Sequence, residues 1–392
     1  RETYKYITSN YSSYAGFPAP LTNGGLNEYH VAARDIWSPS RSELQQMTPN
    51  PQRGLNYSDL ARIVMERAQS ARQAVKIVGD LIDQYGFCTY GGNSHLFADK
   101  NEGWIVINFA GGQGLWVAER LGPDSVRVSH PGYILEIPLD YKENTDYMGS
   151  NNLISFAVEQ GWYDPQSGEP FNVNKIYGNG QGRAELVIRF EQRLAKLAPR
   201  VCLADMMAIV RTTEAADDQS GYGQVARLGN NVHRELGVLW LATSCPVTAP
   251  FIPLCLGMTD VPPEYKRHRY LTGGEAAGFM DPAFQGLEST RYAFRACKRL
   301  YYLVNEHPDK FLDEVTETLA AFEHKLITRQ ELVERTALTL YNAGQPQLAG
   351  AYLTYYCRTE AMNGLQLVET LAQSIEARTK VLFDIREPKG KK

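Results

Sequence analysis

The stretch GGLNEYHVAARD, Gly24 to Asp35, carries the reading of this chain. It lies in an opening segment rich in Tyr, Ser, Pro and Asn, which reads as strands and long loops. Asn27, following Gly24-Gly25, fits an Asx-type turn, because its short amide can hydrogen-bond backbone two residues on. Outward from this stretch comes a helical block. Ser58 is a plausible N-cap, and Leu60, Ile63, Val64 and Arg67 fall at helical spacing. A second apolar stripe runs Ala74, Val75, Val78, Leu81, Ile82, Tyr85, and Gly86 supplies the stop. The period then changes. HLFAD, GWIVINFA, LWVAERL and SVRVSH are short β-rich runs separated by the turn chemistry of DKNEG, GGQG and GPD. Two helices followed by antiparallel-looking strands predict an α+β sandwich rather than alternating βαβ units.

Past Asn151 the pattern is mixed. Helical signals occupy Asn152–Gln160 and Arg183–Leu197, with strand-like runs at Leu236–Ala242 and Phe251–Leu256. Beyond Ser289 helices dominate, with stripes at Ala293, Cys297, Leu300, Val304 and at Leu312, Val315, Leu319, Phe322, Leu326. This helical character continues to about Phe383, with Gly344–Pro346 as a break. Without repeats or low-complexity linkers, the chain reads as a single domain over 1–392: strands and helical pair to 150, a mixed part over 151–288, and a helical layer over 289–383.

Composition narrows the function. A net charge of −4, from 40 basic against 44 acidic side chains, gives no electrostatic footprint for nucleic acid or an anionic membrane. The C-terminal KGKK reads as a solvated tail. No apolar run is long enough to span a membrane, and a cytoplasmic location is expected. The six cysteines follow no C-x-x-C pattern and read as mostly buried free thiols, with Cys245–Cys255 the pairing to check. There is no P-loop, HExxH, EF-hand loop or G-x-S-x-G elbow. The seven histidines show no metal-ligand spacing, so neither a metal nor a cofactor is expected. GNGQGR, at Gly178–Arg183, lacks the glycine register and leading strand of a dinucleotide fingerprint.

Several motifs then line up in order. LARIVMERAQSARQAVKIVGDLIDQYG joins an ERA element to an S-A-R-x-A-V element; DKNEGW supplies D-x-x-E-x-W; GGQGLWVAER supplies GG-x-x-W-x-A-x-R; GRAELVIRF resembles P-R-A-x-x-x-x-R-F; and FQGLESTRYAFRACKRLYYLV resembles a helical closing section. With GGLNEYHVAARD, these resemble the bacterial dipeptidase family of the N-terminal-nucleophile (Ntn) hydrolases, related to the secernins, bile-salt hydrolase and penicillin V acylase. The likeness covers about 25–380. It implies a four-layer αββα sandwich with a helical C-terminal layer. It also implies an amide-bond hydrolase whose N-terminal Cys, Ser or Thr uses its own α-amino group as general base. Arg1 has neither hydroxyl nor thiol, so the nucleophile is expected on a short companion chain, with this chain the larger subunit of a processed enzyme.

The resemblance places supporting groups on this chain. Asn27, His130 and Arg183 are the candidate catalytic supports, Asn27 and His130 as oxyanion donors. Arg34, Asp35, Glu28, Gly111 and Gly112 are candidates for substrate binding. Arg34 and Asp35 stand where smaller polar residues are expected, which suits a charged pocket for a substrate carboxylate or amine. His130 stands where relatives often carry Asn, and its protonation would enter the pH dependence. The expected substrates are dipeptides or small N-acyl amines. An amide-forming acyltransferase and a non-catalytic binding or assembly member stay open as alternatives. The apolar C-terminal helices favour a homo-oligomer.

Overall fold

Polar side chains start both helices of the opening block. The computed structural model describes residues 2–11, 21–89, 91–129, 134–229, 233–266 and 291–384. Its described residues divide into two units, one within 2–11, 21–201 and 227–237, the other within 202–226 and 238–384.

In the first unit the strands are β1 (Tyr6–Ile7), β2 (Asn10–Tyr11), β3 (Leu21–Thr22), β4 (Gly24–Asn27) and β5 (Ala32–Trp37). The helices α1 (Ser42–Met47), α2 (Tyr57–Arg67) and α3 (Ala71–Tyr85) follow. Then come β6 (Gly92–Ala98), β7 (Gly103–Phe109), β8 (Trp116–Leu121), β9 (Glu136–Ile137), β10 (Tyr147–Gly149), α4 (Leu153–Glu159), β11 (Phe171–Asn172), α5 (Val173–Tyr177) and α6 (Glu185–Leu197). Seven of these strands form one antiparallel sheet in the order β1-β4-β5-β6-β7-β8-β10.

Asn56, not Ser58, caps α2, in a reciprocal capping box with Asp59. Ser58 lies buried in the first turn, where its hydroxyl accepts from the Thr22 N–H at 2.8 Å. Ser70 caps α3, and Gly86 ends it at φ 81°, a conformation that glycine adopts without strain. The apolar stripes of α2 and α3 pack on one sheet face, against Ala33, Phe97, Trp104, Val106, Trp116 and Ala118. Ile105, Ile107 and Val117 on the other face join Ile134, Tyr141, Phe156, Phe171 and Tyr177. Gly79 is what allows Trp116 to seat, since a Cβ there would lie 2.2 Å from the indole.

SVRVSH was expected as a strand, yet 125–129 carry no ladder. Side chains take the backbone's place: Val128 N–H donates to Glu191 Oε1 at 2.8 Å, and Arg127 grips Glu119 through two nitrogens. β10 pairs with β8 instead.

The second unit contains α7 (Leu203–Val210), β12 (Gly223–Ala226), β13 (Val238–Ala242) and β14 (Ile252–Cys255). The long helices α8 (Ala293–Glu306), α9 (Pro308–Asn342) and α10 (Pro346–Phe383) close it. β12, β13 and β14 form an antiparallel sheet with β13 central, and all five residues of β13 are buried, so its sequence VLWLA lacks polar alternation. The break expected at Gly344–Pro346 is present: Gly344 has φ 69° and Pro346 opens α10. Residues of the closing section before 291, and the KGKK tail, lie outside the described residues. The protein is a mixed α+β fold with an antiparallel sheet and long C-terminal helices. Among the described residues no helix is long and apolar enough to cross a membrane.

Candidate functional site

Strand alternation brings four polar side chains onto the helix-covered face of the first unit's sheet. Asp35 on β5 pairs with His95 on β6, and Asn93 on β6 pairs with Asn108 on β7. Residues two apart share a face, so the same alternation that sends Ala33, Phe97 and Trp104 into the core sends this quartet inward. All four are buried, His95 and Asn108 completely.

Asn93 is the hub. Its Nδ2 lies 3.4 Å from Asp35 Oδ2 and 3.3 Å from His95 Nε2. The amide nitrogen donates, so His95 Nε2 accepts and the ring proton sits on Nδ1. Burial raises the Asp35 carboxyl to about 6, against the opposing pull of Arg34 and hydrogen bonds from Asn23 and Asn93. Burial alone lowers His95 to about 3. A neutral imidazole therefore sits beside a carboxyl that titrates close to neutrality. Asp35 Oδ1, His95 Nδ1 and both ends of the Asn108 amide find no protein partner. Such a group of atoms can exchange a proton near pH 6 in dry surroundings, the behaviour sought in acid–base support.

The residues singled out from sequence are distributed around this sheet. Asn27 is wholly buried at the β4–β5 turn, where its Nδ2 donates to the carbonyls of Met65 (3.2 Å) and Ala68 (2.7 Å). Its Oδ1 accepts from the N–H groups of Tyr29 (3.1 Å) and Val31 (3.0 Å). Both amide hydrogens are thus engaged by the end of α2. Glu28, beside it, accepts from Lys5 N–H at 3.1 Å and lines a cleft of about 240 Å³ with Tyr29, His30, Asp99, Lys100 and Arg234. The Arg234 guanidinium lies 4.1 Å above the Tyr29 ring.

Arg34 and Asp35 are neighbours in sequence but point to opposite faces of β5, Arg34 half-buried. Gly111 and Gly112 form the turn after β7, at the other end of the sheet from Asn27, with φ 98° and 68°. A side chain there would collide with Leu44 and Pro49, and the Gly111 N–H is taken by Thr48 Oγ1 at 3.0 Å. Arg183 precedes α6 and pairs with Glu191, which also approaches Arg127 and caps Val128. Glu191 thus joins Arg183 to the 127–128 segment. His130 itself lies outside the described residues.

The sheet therefore groups Asp35 with three residues that sequence reasoning missed. Asn93 and His95 had a signal: in GGNSHLF they alternate in phase with Phe97, which a buried strand face explains. The strand was expected to start at His95, one turn of the alternation too late to include Asn93. Among the described residues, no three or more His, Cys, Asp or Glu side chains come together as metal ligands.

Residues 24–187, spanning β4 to the start of α6 and the whole quartet, match the family model described as Peptidase family C69. A probable dipeptidase of Salmonella dublin is 38% identical over 125 residues, 32% of this chain and 27% of that protein. A probable dipeptidase of Latilactobacillus sakei is 29% identical over 155 residues, 39% of this chain and 31% of the relative. Dipeptidase A of Lactobacillus helveticus is 27% identical over 159 residues, 40% and 32% of the two chains. The matches span about a third of the length of these curated relatives. The motif order and the sheet it builds agree with the match, so residues 24–187 are similar to peptidase family C69.

Proposed function

We propose that this chain is the larger subunit of a dipeptidase, cleaving the amide bond of dipeptides or small N-acyl amines through an acyl-enzyme. The nucleophile in this reading is an N-terminal Cys, or Ser or Thr, on a companion segment. Its α-amino group, with an ordinary pKa of about 8, takes the nucleophile's proton and passes it to the leaving amine; water then releases the acyl group. The fold in this reading is the four-layer αββα sandwich. Arg34 is assigned to the substrate carboxylate, which a guanidinium can hold in a two-pronged contact. Asp35, held through Asn93 with His95, maintains the charge balance behind it. Arg183, fixed by Glu191, and the 130 position support the developing oxyanion.

The observation that carries this reading is the family match over 24–187, in relatives whose names are dipeptidases. The test is intact-mass analysis and a dipeptide assay on natively purified protein. We expect a second small polypeptide beginning with Cys, release of free amino acids from unblocked dipeptides, and loss of both activity and one alkylatable thiol after iodoacetamide. A folded protein that carries such a segment but leaves every dipeptide intact would overturn the peptidase reading.

A further inference from the structure

Two cysteines that no part of the proposed chemistry uses meet inside the second unit. Cys255 ends β14 and Cys357 lies on α10, 1% and 0% exposed. The Cys255 N–H donates to Cys357 Sγ over 3.4 Å, and the two thiols hydrogen-bond to each other. The backbone on either side is held in place. A Cβ on Gly350 would touch the Gly257 carbonyl at 3.4 Å, Thr259 N–H donates to Thr354 Oγ1 at 2.9 Å, and Tyr265 OH donates to the Ala361 carbonyl at 2.7 Å. These ties lie along residues 350–361 of α10, the stretch that carries Cys357. The pairing suggested by sequence, Cys245–Cys255, is not the one the fold favours: Cys245 packs instead with Ala216, Val247 and Tyr301.

We infer that Cys255 and Cys357 are a disulfide-forming pair that closes between β14 and α10 under an oxidising thiol–disulfide buffer. Cys357 Sγ already lies 3.4 Å from the Cys255 backbone nitrogen, so closure calls for side-chain rotation to the specific geometry of a disulfide. The oxidant is a small-molecule disulfide such as oxidised glutathione. One cysteine thiolate attacks it and expels one glutathione thiolate; the second cysteine attacks the mixed disulfide and expels the other. The two cysteines lose two electrons and two protons, and the oxidant is reduced to two thiols. The neighbouring thiol and burial hold the Cys255 proton in the closed fold, so exchange proceeds through local opening or during folding.

The test uses the full chain with Cys88→Ser and Cys202→Ser, which removes the half-buried and the exposed thiol. Reduced protein is incubated with oxidised glutathione in urea below the unfolding midpoint, then denatured, alkylated with iodoacetamide and weighed. Of the four remaining cysteines, two are expected to alkylate, and a non-reducing peptide map should link 255 to 357. Adding Cys357→Ser should give three alkylated residues and no internal link. Four alkylated residues, or a link joining any other pair, overturns the proposal. The same map on the natural sequence reads the 255–357 link directly if the background variant fails to fold.

Discussion

Asp35 and His95 face each other across the β5–β6 ladder, share the Asn93 amide, and are displaced by burial in opposite directions. Between about pH 4 and 6 the folded protein holds its proton on Asp35 and keeps His95 neutral. The unfolded chain in that window has an ionised Asp and a charged His. Both states bind one proton between these two groups, so the pair adds no pH slope to stability there.

Single substitutions should separate the two contributions. With Asp35→Asn, the lowered His95 acts alone: its stabilisation is present above the unfolded pKa of about 6.5 and is lost as pH falls toward 3, at about 1.4 kcal/mol per pH unit. With His95→Gln, the raised Asp35 acts alone: its stabilisation is full below the unfolded value of 3.8 and is lost as pH rises through about 6. Urea unfolding at half-unit steps from pH 4 to 7 measures both slopes. Two variants with the parental slope would show that the residues do not titrate as a buried pair.

Gly79→Ala sets helix propensity against packing. In an exposed helix the change would stabilise by about 1 kcal/mol. Here the added Cβ would lie 2.2 Å from Trp116, whose indole N–H is held by Asp83 at 2.9 Å and cannot swing away freely. Overpacking of this kind costs about 1–3 kcal/mol, so the net sign is destabilising. Thermal unfolding of the variant, with near-UV circular dichroism to follow the Trp116 environment, checks the sign. A higher melting temperature would mean that the core yields more easily than these contacts imply.

Asn27→Ala removes two hydrogen bonds that join the β4–β5 turn to the end of α2 and two that brace the turn itself. Unpaired buried partners cost about 1–3 kcal/mol each, reduced where relaxation admits water. A total loss of at least about 3 kcal/mol is expected in denaturant unfolding, with protease cutting near residue 30 accelerated. A loss under about 1 kcal/mol would contradict the clamp role.

In the second unit, Arg211 and Glu323 form a buried pair, with one contact at 2.8 Å. Arg211 also donates to the Pro246 carbonyl at 3.0 Å, and Glu323 accepts the Phe251 N–H at 2.7 Å. Glu323→Gln leaves the guanidinium charge without its counter-ion and should destabilise by about 3–5 kcal/mol. The double variant Arg211→Met, Glu323→Leu should regain much of that loss, because no charge then remains buried. Calorimetry on the single and double variants distinguishes this from a simple packing loss.

The short-range features of the fold were legible in the chain. Apolar spacing located α2 and α3, Gly86 marked their end, and the break at Gly344–Pro346 separated the last two helices, because caps and periodicity are properties of neighbouring residues. Misreadings arose where a distant group competes. Ser58 has the chemistry of a cap, but Asn56 supplies it while Ser58 turns to Thr22; the 125–129 run has strand composition, but Glu191 and Glu119 take its polar groups.

Sequence alone determined the family motifs, the α+β class and the residues worth watching. Only the tertiary structure decided their neighbours. Register across β5, β6 and β7 assembles Asp35, Asn93, His95 and Asn108, and β14 beside α10 brings together two cysteines 102 positions apart. Strand alternation shows which residues share a face within one strand, but which strands lie side by side depends on long-range burial. That burial also moved Asp35 and His95 away from their ordinary titration ranges, a shift that residue type alone does not encode.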